Sequence, residues 1–360
     1  MGDIEEKNSY LNAKACLLAI GHESKRDCLI MNVSEPEITS VTDLTDEELT
    51  HQWKTIDWKR VKEVVNNLQS RIASATKNGN WKTVSKLSRL LTQSFYAKLL
   101  SVRKVTTNKG SRTPGVDGII WSSPADKMRS ALQLTNKGYC AKPLTRKYIR
   151  KKNGKLRPLS IPTMYDRAMQ TLYSLVLGPI ESATGDNTSF GFKPYRSTKD
   201  AYAYLHTCLS KKIAPEWIVE GDIKACFDEI NHIWILDNIP LDKQILKEFL
   251  KAGYIENHHL FPTERGTPQG GPISPIIGNM ALNGLKNAIA LGFYSRQDGT
   301  LPKYNRNKHK INYVRLADDF VVTADSPETA RKIIEVVQSF LGPRGLKLSE
   351  EKTLVTNINE

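Results

Sequence analysis

Residues 315–323 read RLADDFVVT, and residues 217–223 read WIVEGDI. In both stretches carboxylates interrupt an apolar, β-prone run: Asp222 ends one, and Asp318 and Asp319 stand side by side in the other. Adjacent carboxylates repel, and burying even one unpaired charge is costly. Two readings account for them. Short aspartate side chains bond nearby backbone amides, so the pair could simply form the turn of a hairpin between INYVRLA and FVVTA, although Asn-Gly or Asp-Gly would serve a hairpin better. Alternatively, a strand-end aspartate and a hairpin pair, distant in sequence, converge on divalent cations. Magnesium takes oxygen ligands, commonly one or two carboxylates together with substrate phosphates. Two such ions about 4 Å apart activate an attacking hydroxyl and stabilise the leaving oxygen of a phosphoryl displacement. Each negative charge is then offset by metal.

A second cluster is basic. Residues 142–157, KPLTRKYIRKKNGKLR, hold eight Lys/Arg and no acid. Asn153-Gly154 between two strand-like runs signals a hairpin, and a two-residue turn there pairs Lys152 with Lys155 and Arg150 with Arg157. Like charges directly opposite are destabilising. Such a hairpin is better explained by a polyanionic ligand than by its own stability. The charge of the whole chain agrees: +14 overall, divided into −7 over residues 1–52 and +21 over residues 53–360. A body that basic suits nucleic acid; a solvated basic surface is the plainer alternative.

The elements that must position these groups are partly readable. The 360 residues are enough for two or three modules. Residues 1–52 are acidic and poorly periodic, which suggests a flexible extension. From Trp53, Val61, Val64, Val65, Leu68 and Ile72 recur at helical spacing, as do Val84, Leu87, Leu91, Phe95 and Leu99 after KNGN at 77–80. The pattern predicts a basic helical hairpin within residues 53–108. It serves either packing or RNA binding. A Gly- and Pro-rich loop at 109–118 opens the next module. Beyond it, strands are predicted at 146–152, 155–161, 217–223, 311–317 and 320–324. Helices are predicted at 164–178, 198–210, 241–252, 275–290 and 326–341, with Ser274 capping Pro275. That mixture predicts an α+β fold.

Other classes recede. The five cysteines (16, 28, 140, 208 and 226) form no Cys-x-x-Cys and no zinc spacing with histidine. They read as reduced thiols in an intracellular protein. The apolar run ACLLAI near the start is too short for a membrane span or a signal core.

Several blocks taken together resemble group II intron reverse transcriptases. They are TPGVDG (113–118), LRPLSIPTMYDRAMQ (156–170), VEGDIKACFDEINH (219–232), GTPQGGPISPIIGNMAL (266–282), VRLADDFVVT (314–323) and GLKLSEEKT (345–353). Their order along residues 53–358 is far more specific than any single block. The resemblance implies a right-hand polymerase: fingers mainly at 109–215 and palm mainly at 216–360, with an antiparallel palm sheet packed on helices behind the basic helical region. It implies an RNA-directed DNA polymerase using two Mg2+ ions, with Mn2+ able to substitute. Its partners would be an RNA template, intron RNA, a DNA primer and dNTPs, in the cytoplasm or nucleoid if the source is bacterial.

Site roles follow by the same resemblance. Asp222, Asp318 and Asp319 become the catalytic carboxylates and, with the backbone carbonyl of Ile223, the metal ligands. Phe227 becomes the steric gate against a ribose 2′-hydroxyl, or else a core aromatic. Gln269 sits beside the incoming nucleotide, in a loop whose glycines let backbone approach the duplex. Lys352 lies near the nucleotide site. Lys151 and Arg157 serve the triphosphate and template, while Arg150, Lys152 and Lys155 bind nucleic acid. The simple hairpin register puts Lys151 and Arg157 on opposite faces, so either a bulge intervenes or they contact different phosphates.

Two features depart from the family. Leu316 stands where the family has tyrosine, and alternation along a strand would point it into the same cleft as Asp318. The chain also ends at Glu360, before a thumb and maturase region would begin. The rival reading is therefore an RNA-binding splicing factor that no longer polymerises. A stand-alone reverse transcriptase of a defence system is a third.

Overall fold

Asp57 and Asn80 each accept hydrogen bonds from backbone amides just inside a helix start. These caps satisfy donors that a helix cannot pair internally. They open α2 (Trp58–Lys77) and α3 (Trp81–Gln93), which with α4 (Phe95–Thr107) form the basic helical region in the computed structural model. The structure describes residues 44–150, 154, 156–211, 213–302 and 307–359. Val61, Val65 and Ile72 of α2 and Val84, Leu87 and Leu91 of α3 are buried, as the periodicity predicted. The hairpin is in fact three helices, because the chain turns extended at Ser94 (φ −62°, ψ 126°). No glycine or proline marks that break.

α1 (Asp46–Lys54) precedes them, held by a capping box between Thr45 and Glu48 and anchored by the fully buried Leu49. It packs on α5 (Pro124–Gln133). Residues 46–52 are therefore helical, not flexible chain; residues 1–43 lie outside the described residues. α2 and α4 both pack on α6 (Met164–Thr184), which is buried on most of its faces.

Two four-stranded sheets follow. The first, in the order β2-β1-β4-β5, joins β1 (Leu144–Arg150) and β2 (Leu156–Ile161) to β4 (Tyr254–Glu256) and β5 (His259–Phe261). The β1–β4 pairing is parallel, so this sheet is mixed. The second is wholly antiparallel, in the order β6-β7-β3-β8. It comprises β6 (Tyr313–Leu316), β7 (Asp319–Ala324), β3 (Trp217–Asp222) and β8 (Leu354–Asn357). One face is covered by α13 (Pro327–Leu341), whose Ile333, Val337 and Leu341 are fully buried at helical spacing. The remaining helices are α7 (Thr198–Leu209), α8 (Cys226–Glu229), α9 (His232–Asn238), α10 (Lys243–Lys251), α11 (Ser274–Leu282) and α12 (Leu285–Tyr294). No helix among the described residues is long and apolar enough to cross a membrane.

Three expectations change. The helix predicted at 275–290 is broken between α11 and α12 at Gly284, whose φ of 91° suits glycine alone. Ser274 is the first helical residue and not the cap; its hydroxyl donates to the Pro268 carbonyl at 2.9 Å. In the basic hairpin, Arg150 pairs with Leu156 and Ile149 with Arg157, one residue out of the register that a two-residue Asn-Gly turn requires. Arg150 and Arg157 therefore project from opposite faces and do not form the expected pair; Lys152 and Lys155 lie outside the described residues.

The site-bearing sheet is packed so closely that it constrains its glycines. Gly221 pairs with Phe320 across β3 and β7. A Cβ at Gly221 would sit 2.1 Å from the Phe320 ring, itself only 3% exposed. We expect Gly221→Ala to cost about 1–3 kcal/mol through overpacking. Thermal melting checks this, and an unchanged midpoint would show that the sheet yields there.

Candidate active site

The β3–β7 register sets Asp222 directly opposite Asp319. Cross-strand partners lie about 4.5–5.5 Å apart between Cα atoms. The hairpin turn is Ala317-Asp318, closed by the Leu316–Asp319 pair, so Asp319 is the first residue of β7. The aspartate pair is thus split between turn and strand. Ala317 carries the unusual backbone, with a φ of 61°. Its amide is packed so closely against Gly191 that a Cβ there would come within 2.2 Å. All three carboxylates consequently gather at one end of the sheet.

Their electrostatics reflect crowding. The Asp319 carboxyl is pushed up to about 6 by desolvation first, then by Asp318 and by its hydrogen bond with Asp222. Lys352 donates to Asp222 at 2.9 Å, and that carboxylate holds the ammonium above its ordinary range. The Lys352 side chain is 66% exposed, so the pair is solvated and weak. Beneath the cluster, the buried Cys226 thiol is pushed up to about 12, by burial first and then by Asp318, with Arg315 opposing.

Backbone geometry adds a further oxygen. Lys224 N–H donates to Lys347 and Ser349 N–H to Asp222, while Ile223 bridges Leu348 between them. Ile223 is therefore at a non-hydrogen-bonded position of that pairing, and its carbonyl turns to the β7 side of β3. Among the described residues, no group of three or more His, Cys, Asp or Glu closes around a metal ion. A magnesium that shares its shell with substrate phosphates needs only one or two carboxylates. The donors gathered here are hard oxygens, and their mutual charge is uncompensated apart from one exposed lysine. The site fits such an ion.

A second constellation flanks the carboxylates. Arg157 Nε donates to Gln269 Oε1 at 2.9 Å, and Gln269 Nε2 donates to Asp228 Oδ2 at 2.7 Å. The Gln269 carbonyl also accepts the Ser160 amide at 2.7 Å, which ties the 266–272 loop to β2. Gly270 permits this: its φ is 118°, and a Cβ would lie 2.6 Å from the Ser160 carbonyl. Burial raises the Asp228 carboxyl, while Gln269, Arg146 and Arg157 pull it down. Phe227, next to Asp228, is half-buried against Gly278 of α11 and meets Phe192 edge-on at 6.0 Å.

Arg157 and Gln269 are therefore brought together, as are Asp222, Asp318, Asp319 and Lys352. Arg150 projects from the face of β1 opposite to Arg157 and Ile149. Lys151, Lys152 and Lys155 lie outside the described residues. Asp228 and Arg146 were missed, because an acid in CFDE and one more base in a basic strand look like solvated charges until Gln269 and Tyr254 meet them. Arg146 stacks on the Tyr254 ring at 3.8 Å. Leu316 packs against the buried cluster of Phe190, Ala201 and Val314. The left-handed Ala317 breaks strand alternation, so Leu316 and Asp318 need not share a face.

Because folding raises the Asp319 carboxyl above its ordinary 3.8 to about 6, the folded chain holds extra proton between those values. Without divalent metal, stability should fall as pH rises through that window. Asp318→Asn removes one repelling charge and leaves the Lys352–Asp222 pair in place. The variant should melt above wild type at pH 7 without metal, with the difference vanishing toward pH 4. Melting curves across that range test it, and a pH-independent difference would contradict the charge explanation.

Comparison with known proteins matches the sequence to a family. The family model described as reverse transcriptase (RNA-dependent DNA polymerase) matches residues 149–358, and the N-terminal domain of reverse transcriptase matches residues 53–134. Group II intron-encoded protein LtrA of Lactococcus lactis subsp. cremoris is 30% identical over 318 residues, covering 72% of this chain and 53% of LtrA. Protein YkfC of Escherichia coli K12 is 28% identical over 329 residues, covering 82% of this chain and 86% of YkfC. Among solved structures, apo telomerase from Candida tropicalis, truncated from its C-terminal domain, aligns with a TM-score of 0.41 and 16% identity, over 60% of this chain and 50% of that one. The chain thus spans about half the length of LtrA. With its α+β fingers and palm behind a helical N-terminal region, the chain belongs to the reverse transcriptase (RNA-dependent DNA polymerase) family.

Proposed function

We propose that the chain polymerises deoxynucleotides on an RNA template, extending a DNA primer. The observation that carries this is the meeting of Asp222, Asp318 and Asp319 at one sheet end in a chain that matches the reverse transcriptase family over residues 149–358. The family implies dependence on divalent metal. Asp222, Asp318, Asp319 and the Ile223 carbonyl would hold two Mg2+ ions, which Mn2+ can replace. When bound, these ions supply activation of the primer hydroxyl and charge stabilisation at the leaving pyrophosphate.

The chain's own residues do the rest. Asp222 and Asp319, fixed across the β3–β7 ladder, hold their charge at a rigid position, and preorganised charge costs no rearrangement at the moment of reaction. Lys352, already against Asp222, adds a cation at the nucleotide side. Arg157, oriented by Gln269, presents guanidinium donors to a triphosphate; Gln269 is in turn held by Asp228. Lys151 joins Arg157 at the triphosphate and template, and Arg150, Lys152 and Lys155 bind the nucleic-acid backbone. Phe227, braced by Gly278 and Phe192, forms a wall that a ribose 2′-hydroxyl would strike. Template and intron RNA are the partners that the basic body and its intron-encoded relatives suggest.

Primer extension on poly-rA with an oligo-dT primer and Mg2+ tests the reading. Asp222→Asn should abolish incorporation and keep a cooperative melting transition, since it removes a charge and no core packing. Near-normal turnover in that variant would overturn the assignment. In the same assay Phe227→Ala should raise the ratio of ribonucleotide to deoxynucleotide incorporation. An unchanged ratio would make Phe227 a packing residue only.

A further inference from the structure

Among the described residues, the largest fully buried side chain is a cation without a counter-ion. Arg315 of β6 is 0% exposed. Among the described residues no carboxylate lies within ion-pair distance of it. Its partners are neutral oxygens. Nη1 donates to the Ala317 carbonyl at 2.9 Å and to Asn279 Oδ1 at 3.2 Å, and Nη2 donates to Asn283 Oδ1 at 3.1 Å. Nε has no partner. Removing a guanidinium from water is expensive, and a fold that wanted only packing would place an apolar residue there.

Where Arg315 points explains its presence. The Ala317 carbonyl belongs to the peptide group that joins Ala317 to Asp318. Ala317 holds the left-handed conformation that an alanine adopts reluctantly, with a φ of 61°. The other half of the guanidinium grips α11 and the residue after it. The same Asn279 donates through Nδ2 to the Gly191 carbonyl at 2.9 Å, and Gly191 packs on the Ala317 amide. The turn is therefore clamped from both sides through one buried fork. An acid beside Arg315 would compete for the donors that now hold the Ala317 carbonyl and Asn279.

We infer that Arg315 is a positioning residue, which fixes the Ala317-Asp318 turn so that Asp318 is presented to divalent metal beside Asp222 and Asp319. The inference rests on the polymerase reading for the identity of the ligand, but the clamp itself is a property of the fold. A merely structural arginine would stabilise the whole sheet. A positioning one controls the turn.

Two readouts on the intact chain separate these: amide hydrogen exchange over residues 314–324, and Mn2+ binding measured from the free-ion electron paramagnetic resonance signal. In Arg315→Met, exchange at residues 316–319 should quicken and Mn2+ affinity should fall, each by about tenfold, while β3 and the remainder of β7 stay protected. Arg315→Lys, which keeps the charge without the fork, should recover part of both. Unchanged turn exchange and Mn2+ affinity would overturn the proposal. So would acceleration spread evenly over the sheet. If Arg315→Met fails to fold, Asn283→Ala takes one acceptor from the same guanidinium and must show the same localised change, or the proposal fails. Should wild type bind no Mn2+ and extend no primer, the polymerase reading falls, while the exchange data still decide whether Arg315 holds the turn.

Discussion

Repulsion among Asp222, Asp318 and Asp319 is the constraint around which the second sheet is built. Three carboxylates at one sheet end destabilise a metal-free fold, and the Asp319 carboxyl, raised by burial first and then by Asp318 and Asp222, records part of that cost. Cross-strand pairing keeps them together regardless. Asp222 and Asp319 are opposite partners in a ladder that runs six residues from Trp217–Ala324 to Asp222–Asp319. Moving either carboxylate away would mean shifting the register, and a one-residue slip would turn the buried Val219, Phe320 and Val322 outward. Core burial therefore holds the charge cluster in place.

The surroundings supply rigidity and little compensation. β3 lies inside the sheet between β7 and β8, and α13 covers it. The 188–191 segment runs along the outer edge of β6 through hydrogen bonds between Arg315 N–H and Thr188 and between Phe190 N–H and Arg315. That segment is itself anchored by the buried Lys193–Glu181 pair at 3.0 Å. Breaking a buried pair from one side is strongly destabilising, so Phe192, which braces Phe227, is held by an element far from the carboxylates in sequence. The Phe227 wall and the carboxylate end of the sheet thus share one support.

Much of this was readable in residue order. β3 and the β6–β7 hairpin, together with Asp222, Asp318 and Asp319, followed from strand-like runs ending in acid. Their convergence was one of two readings of those runs, and the β3–β7 pairing between segments about a hundred residues apart supplies it. Other features stayed hidden. β4, β5 and β8 are three or four residues each, too short to show a period. The break at Ser94 carries no special residue. Arg315 looked like any strand arginine until α11 buried it, and Asp228 like any helix acid until Gln269 reached it. Leu316 is a departure from the family motif in sequence; in the fold it packs against the Phe190, Ala201 and Val314 cluster. The register of the basic hairpin differs for the opposite reason: Asn153-Gly154 is a strong local signal that the described strand pairs do not follow.

The central claim is that the three carboxylates form one metal site. Crystals of the chain soaked in Mn2+ and measured at the manganese absorption edge test it most directly. The account predicts anomalous density between Asp222 and the Asp318–Asp319 turn, absent when Asp222→Asn is soaked in the same way. Manganese bound only elsewhere, or undiminished beside the turn in Asp222→Asn, would contradict it.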